Sequence, residues 1–413
     1  MRNIVIIGGG AAGLMAAASC EGENKITVIE KNTRPARKVM ITGKGRCNVT
    51  NNSNVNTLIN NTAKNGKFLY SAFSAFNSED TMRFFESRGV PLKTERGNRV
   101  FPVSDKAVSI VDALISAACE KADIKVGTAQ AIICKDSAVC GVKLSSEETL
   151  PADAVILATG GKSYPLTGST GDGYRLARAL GHTVTKLSPS LIRLDIREGF
   201  CTHLAGLTLK NVTLSLFKNG AKKPVYSELG ELLFTHTGIS GPLTLSASAH
   251  IDGAPEDYFA EIDLKPALDN GALDKRILRD FEEEKNRDLS NALYKLLPKS
   301  LIPVIIGIAG IDPRVKINQL SRENRESLIN AIKHLKVTVK DFGDFDEAVI
   351  TRGGVSVKEI NPGDMSSKLI KNLYFAGEII DVDAFTGGFN LQIAFSTGYL
   401  AGKSASKNKE SGN

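Results

Sequence analysis

Three glycines near the start of the chain, Gly8, Gly10 and Gly13, stand at the spacing G-x-G-x-x-G. The first allows a tight turn, the second lets backbone approach a diphosphate, and the third lets a helix close on a strand while its unpaired N–H groups face the phosphates. Glu30 lies about 20 residues after the turn, where a carboxylate accepts from a ribose hydroxyl. A carboxylate at that place repels a 2′-phosphate, so the two signals favour FAD or NAD over NADP. A P-loop is excluded, because Leu14-Met15 occupies the place of its Lys-Ser/Thr pair. A second chemical group is Cys47, which follows Lys44 and Arg46. Positive neighbours lower a thiol pKa and make a reactive thiolate; the plainer reading is a small side chain packed beside the ligand.

The elements that must position these groups are visible around them. Residues 3–7 are a β-branched run with strand character, residues 11–19 are small helix formers, and residues 25–29 form a second apolar run that delivers Glu30. Residues 37–52 are too rich in glycine and asparagine for regular structure and read as a ligand-binding loop. Helices are predicted over 78–89, with Ser78 as N-cap, and over 107–121. Short strands follow around 124–126, 129–134 and 139–144, then a buried run at 154–157 that ends in a small-residue turn at Thr159-Gly160-Gly161. A helix over 174–180 closes at Gly181.

Near residue 190 the character changes. Short alternating runs to about 265 predict an antiparallel β unit, and stretches between about 270 and 340 read as helices. The expected organisation is therefore a nucleotide-binding domain in two pieces, 1–190 and 341–402, interrupted by an insertion at 191–340 and followed by a flexible tail at 403–413. In the second piece, residues 373–376 form a buried strand ending at Gly377-Glu378, and Gly387-Gly388 opens a helix with Asn390 and Leu391 in its first turn.

The chain has 413 residues, 42% hydrophobic and 23% charged, enough for a large core in two or three domains. No run approaches the length of a membrane span, so no membrane association is expected. Six cysteines (Cys20, Cys47, Cys119, Cys134, Cys140, Cys201) form no C-x-x-C pair and no zinc spacing, which predicts reduced thiols in a cytoplasmic protein and no metal site. The net charge is +7, and its distribution is uneven. Residues 31–50 hold Lys31, Arg34, Arg37, Lys38, Lys44 and Arg46 with no acidic residue, whereas residues 191–340 hold 21 basic and 19 acidic residues. The basic segment either neutralises a bound diphosphate or also attracts an anionic substrate.

The glycine loop, Gly43-Lys44-Gly45-Arg46-Cys47-Asn48-Val49-Thr50-Asn51, Ala158-Thr159-Gly160-Gly161-Lys162-Ser163-Tyr164-Pro165, the stretch from Leu233 through His236 to Pro242, Thr351-Arg352-Gly353-Gly354-Val355, and Gly377-Glu378 through Asn390 together resemble the bacterial BaiN-like (bile-acid-inducible N), aminoacetone-oxidase-like family of FAD-dependent oxidoreductases. The resemblance covers nearly the whole chain. It implies an α/β fold, a glutathione-reductase-type Rossmann FAD domain interrupted by a β-plus-helical insertion that covers the flavin. It implies FAD held by Gly8, Gly10, Ala12, Gly13, Glu30 and Lys31 at the adenosine and diphosphate end. Lys38, Gly45, Arg46, Cys47, Asn48, Thr159, Gly160, Gly377 and Glu378 are then expected toward the flavin and its linker, with Gly388, Asn390 and Leu391 near the pyrimidine end. Cys47, Arg352 and His236 are the catalytic candidates, although His236 serves equally to orient the turn that follows it.

A second nucleotide fingerprint is missing from the sequence, so NADH or NADPH is expected only as a transient reductant. The leading expectation is an FAD-dependent oxidoreductase acting on a small-molecule substrate over the flavin. The alternatives are an NAD(P)H-dependent reductase of RNA, that is a ribosomal RNA dihydrouridine synthase, as some relatives are, and a flavin-binding protein without turnover. Oligomeric state is not encoded in any motif.

Overall fold

The computed structural model describes residues 1–284 and 286–407. The chain divides into two units, one formed by residues 1–190 with the segment from 345 onward, the other by 191–344.

The first unit is built on a five-stranded parallel sheet. Strand β1 (Asn3–Ile7) leads through the glycine turn into helix α1 (Ala11–Ser19), and strand β2 (Lys25–Glu30) returns beside it. Across the sheet the order is Leu373–Phe375, Ala154–Leu157, β1, β2, Ala122–Val126. Ile4, Ile6, Val28 and Ala154–Leu157 are fully shielded from solvent, as the continuous apolar runs require of strands covered on both faces. Helix Phe389–Ser406 crosses α1 at very short range. A Cβ at Gly398 or Gly402 would stand 2.3 or 2.2 Å from the carbonyl oxygens of Ala12 or Ala16, so only glycine admits this crossing.

Several local readings shift by a few residues. Residues 37–52 are not wholly irregular: helix α2 (Arg37–Ile41) precedes a 3-10 turn at Thr42–Gly45. The helix Ser78–Glu86 is capped by Asn77 rather than Ser78, in a reciprocal box with Asp80. The last helix runs on to Ser406, so the first residues of the 403–413 segment belong to it; residues 408–413 lie outside the described residues.

The second unit contains a closed barrel of six strands, in the order Leu194–Ile196, Gly238–Ser240, Tyr226–Phe234, Thr208–Lys218, Tyr258–Asp263, Leu335–Phe342. The last strand corrects the helical reading of 270–340. Helix Arg322–Lys333 ends at His334, and the buried, exposed alternation of Leu335 to Val339 then follows strand period. Helices Asn270–Glu282, Ile302–Ala309 and Arg322–Lys333 pack into the same core as the barrel.

A buried polar relay ties the two pieces of the first unit together. His182, 3% exposed, shares a hydrogen bond with Ser367 through Nε2 at 2.9 Å, and its Nδ1 lies 3.3 Å from Glu359 Oε2. Glu359 also accepts from the Thr183 amide, and Ser367 Oγ accepts from the amides of Leu369 and Ile370. The serine is thus engaged on every side and acts as a structural clamp. Burial depresses the His182 pKa below that of an unfolded histidine. The unfolded chain therefore takes up the proton first, and this contribution to stability is present above the unfolded value near ~6.5 and is lost as pH falls below it. Replacing His182 by Asn is expected to cost about 2 kcal/mol at pH 8. In thermal melts the gap from wild type should narrow toward pH 5; a gap independent of pH would show that His182 does not titrate differently on unfolding.

Candidate functional site

The first unit holds a cleft with about 1400 Å³ of empty space, its open mouth included. Its walls come from the C-terminal ends of β1 and β2, the start of α1, α2, the turn after Ala154–Leu157, strand Ile350–Arg352 and the start of the last helix. This is the crevice where open parallel sheets bind ligands.

The glycine turn is shaped as the spacing predicts. Gly8 has φ +109°, and a Cβ there would stand 2.5 Å from the Ala158 carbonyl oxygen. A Cβ on Gly13 would stand 1.9 Å from the Gly8 carbonyl oxygen, whereas one on Gly10 would meet nothing within 4 Å. Two glycines are therefore forced by the protein, and the third leaves space in the cleft. Helix α1 has no side-chain cap and no acid in its first turn, so its leading N–H groups are left for a ligand.

Gly8, Gly10, Ala12, Glu30, Lys31, Lys38, Thr159, Gly160, Gly377, Glu378, Asn390 and Leu391 all line this cleft. Glu30 accepts from the Gly9 amide at 2.8 Å and from both the amide and side chain of Asn32, also at 2.8 Å, which fixes its carboxylate at the end of β2. Gly13 lies behind the turn. Gly45, Arg46, Cys47, Asn48 and Gly388 are not among the lining residues. Thr351, the first residue of the Thr351–Val355 motif, also lines the cleft, and further lining residues carried no motif: Gly127-Thr128-Ala129 beside β2, Thr42, Ser169 and Asp172. They are brought in by pairings across the fold, and only the Gly-Thr after residues 122–126 hinted at a turn in the sequence.

The basic segment is largely neutralised by carboxylates from elsewhere in the chain. Lys31 pairs with Asp172 at 2.7 Å, Arg34 with Asp112 at 3.0 Å, Lys38 with Glu378 at 2.7 Å, and Arg46 with Glu95 and Asp105 at 2.5 and 2.6 Å. Arg37 donates to Asn32, and of the six cations only Lys44 has no polar partner among the described residues. The sequence count of six cations therefore overstates the field at the cleft.

The three catalytic candidates are differently placed. Cys47 is fully buried with φ +60°, and burial pushes its thiol up to about 12, with a Thr42 hydrogen bond acting weakly the other way. The expected thiolate is overturned: Arg46 turns away to Glu95 and Asp105, and desolvation dominates. Arg352 donates from Nε and Nη2 to Asp383 at 3.1 and 3.0 Å. Asp383 is 1% exposed, its pKa is raised by burial against the pull of Arg352, and its Oδ1 has no partner. His236 belongs to the second unit, where it is exposed in a turn held by a Thr235–Gly238 hydrogen-bond pair. Its place in that turn fits the orienting role.

Two features test whether these residues suit a flavin dinucleotide. The open space at Gly10 suits a diphosphate against α1. At the other end, Asn48 Oδ1 is buried without a hydrogen-bond partner and stands 2.9 Å from where a Cβ on Gly388 would lie. Helix Phe389–Ser406 starts there with no side-chain cap and no acid in its first turn. The first turn of this helix reaches the cleft through Asn390 and Leu391, and its uncapped N–H groups suit the carbonyl edge of a ring, so the residues fit. Among the described residues there is no cluster suited to a metal ion and no helix long and apolar enough to cross a membrane.

The model of the family described as HI0933-like protein Rossmann domain matches residues 2–404. A 3-dehydro-bile acid delta(4,6)-reductase of Clostridium scindens is 31% identical over 414 residues, covering 98% of this chain and 100% of that protein. A ribosomal RNA dihydrouridine synthase of Haemophilus influenzae is 30% identical over 411 residues, covering 98% of each. Among solved structures, a 3-ketosteroid delta1-dehydrogenase from Sterolibacterium denitrificans has a TM-score of 0.52 at 12% identity, covering 98% of this chain and 100% of that one, a likeness of fold.

All six cysteines are free, and their burial differs sharply. Maleimide labelling of the native protein at pH 8 should modify exposed Cys119 and Cys140 and spare Cys20, Cys47 and Cys201. Rapid labelling of Cys47 would restore the activated-thiol reading.

Proposed function

The chain belongs to the HI0933-like Rossmann-domain family and is an FAD-dependent oxidoreductase, and from this premise we propose that it reduces a carbon–carbon double bond conjugated to a carbonyl, taking its electrons from NADH or NADPH. The observation that carries the cofactor side is the cleft itself, with an uncapped helix start at each end, a forced glycine turn and an acid at the ribose position. The direction of the reaction is supported by the names of the two relatives. A delta(4,6)-reductase and a dihydrouridine synthase differ in substrate size, yet both names denote hydrogen added across a carbon–carbon double bond.

When bound, FAD supplies the two-electron chemistry, accepting a hydride from the nicotinamide and passing one to the substrate. The chain's own residues do the holding. Gly10 and the first N–H groups of α1 take the diphosphate, Glu30 takes the ribose, and the start of the last helix, with Asn390 and Leu391, takes the pyrimidine edge. The balance is one NAD(P)H and one proton consumed for each double bond saturated. With one nucleotide cleft identified, the nicotinamide would bind and leave within the turnover. A small conjugated ketone is the favoured substrate over RNA, because the basic segment beside the cleft is already paired with carboxylates. Free cysteines suit a reducing compartment such as the cytoplasm.

Two experiments test this reading. Gly10→Ala should leave the apoprotein folded, since its Cβ meets no protein atom, while weakening FAD binding about tenfold or more, roughly 1.4 kcal/mol; Gly13→Ala should instead destabilise the fold. Anaerobically, NADH or NADPH should bleach the flavin absorbance, and a conjugated 3-oxosteroid should restore it. Recovery with uridine-containing RNA alone would move the assignment to RNA, and a flavin that no nicotinamide reduces would overturn the proposal.

A further inference from the structure

Lys38 and Glu378 are 340 residues apart in sequence and face the same cleft. Lys38 Nζ donates to Glu378 Oε2 at 2.7 Å and to Ser163 Oγ at 2.7 Å. Glu378 Oε1 accepts from the Ser163 hydroxyl at 2.9 Å and from the Thr351 amide at 2.8 Å. Thr351 Oγ1 in turn accepts from the amides of Lys162 and Ser163 at 2.7 and 3.1 Å. Ser163 and Thr351 are both fully buried. The turn between them fits only without a side chain: a Cβ on Gly161 would stand 2.5 Å from Thr351 Oγ1 and 2.7 Å from Glu378 Oε1.

This network brackets the start of α1. On one side, the Ala36 amide donates to the Gly9 carbonyl at 2.8 Å, fixing the origin of α2 and so of Lys38. On the other, Gly377 is so close that a Cβ on it would stand 2.7 Å from the Ala12 Cβ, which fixes Glu378. An ammonium has three N–H donors, and Ser163 and Glu378 engage two of them. The third is uncommitted among the described residues, on the wall of a cleft that the uncapped start of α1 also lines.

From this geometry we infer that Ser163 and Thr351 are positioning residues, which hold the Glu378 carboxylate so that it aims Lys38 Nζ at the diphosphate of the cofactor. A flexible lysine left alone in the cleft would lose rotamer entropy on binding, and an unpaired Glu378 would repel the incoming phosphates. The clamp removes both obstacles by ordering the lysine in advance and by cancelling the carboxylate charge. Thr351 serves it twice, since its hydroxyl sets the 161–163 turn and its amide sets the carboxylate.

The inference rests on the FAD reading, and its test separates the two. FAD affinity of the apoprotein is measured by quenching of flavin fluorescence at low and high ionic strength, with apoprotein melting as a control for folding. Lys38→Met should weaken FAD about tenfold and flatten the dependence on salt, because one phosphate contact is lost. Thr351→Val and Ser163→Ala should weaken FAD by a similar factor in the wild-type background and have little effect in the Lys38→Met background. Thr351→Ser should restore wild-type affinity. If Thr351→Val weakens FAD equally with and without Lys38, or Lys38→Met keeps the full salt dependence, the positioning role is wrong while the flavin assignment stands. If wild-type protein binds no FAD, it is the assignment that fails.

Discussion

Two helices of the first unit begin in the open, and much of the site depends on that. The start of α1 at Gly10 and the start of Phe389–Ser406 at Gly388 both lack a side-chain cap and an acid in the first turn. Each leaves N–H groups whose desolvation is costly unless an acceptor arrives. Ser or Asp would fit sterically at Gly10, whereas at Gly388, with φ +96°, a Cβ would stand 2.4 Å from the Thr50 carbonyl oxygen and only glycine is admitted. Glycine at both leaves the donors to a ligand, and its anionic or carbonyl oxygens complete what the fold leaves undone. The close crossing of these two helices at Ala12 and Ala16 against Gly398 and Gly402 keeps their starts in a fixed relation.

Charge in the cleft follows the same economy. A segment with six cations and no anion looks like an electrostatic funnel when read along the chain, yet Asp172, Glu378, Glu95 and Asp105 return from distant sequence to meet three of its side chains, Lys31, Lys38 and Arg46. Partly buried pairs of this kind contribute modest stability. Their value lies in order, since Lys31 and Lys38 arrive at the cleft already held in position.

How much of this is legible in the sequence depends on the range of the interaction. The strand, glycine turn and helix from Asn3 to Ser19 are readable because every constraint in them is local, and Glu30 is readable because the β2 register is short and apolar. The cap of Ser78–Glu86 falls one residue away from the sequence expectation, since Asn77 and Ser78 are both good caps and only the Asp80 reciprocal bond decides. The strand Leu335–Phe342 merges with a helix in the sequence pattern because the preceding helix is amphipathic and no glycine or proline separates them; its partners, Tyr258–Asp263 and Leu194–Ile196, lie far back in the chain. For Cys47 the neighbours in sequence are the wrong ones. Its environment is set by burial, while Arg46 answers to Glu95 and Asp105 from elsewhere in the chain.

The loop that carries Cys47 shows what such burial is for. Gly43, Lys44, Gly45 and Cys47 all have positive φ, and two of these are not glycine, a conformation that costs roughly 1–2 kcal/mol for each such residue. A strained segment persists only where its surroundings over-determine it. Here the Cys47 amide donates to Thr42 O at 3.0 Å, the buried thiol anchors the turn, and the Arg46 guanidinium is pinned by two carboxylates and stacks on Phe101 at 4.2 Å. The outcome of that strain is the position of the next residue. Asn48 is delivered with a buried, unpartnered amide oxygen beside Gly388, at the open start of the last helix. A relaxed loop would let that oxygen turn back to the protein's own amides and satisfy itself. Cys47 and Arg46 thus flank Asn48 in a loop held by burial, by the Glu95 and Asp105 pairs and by Phe101.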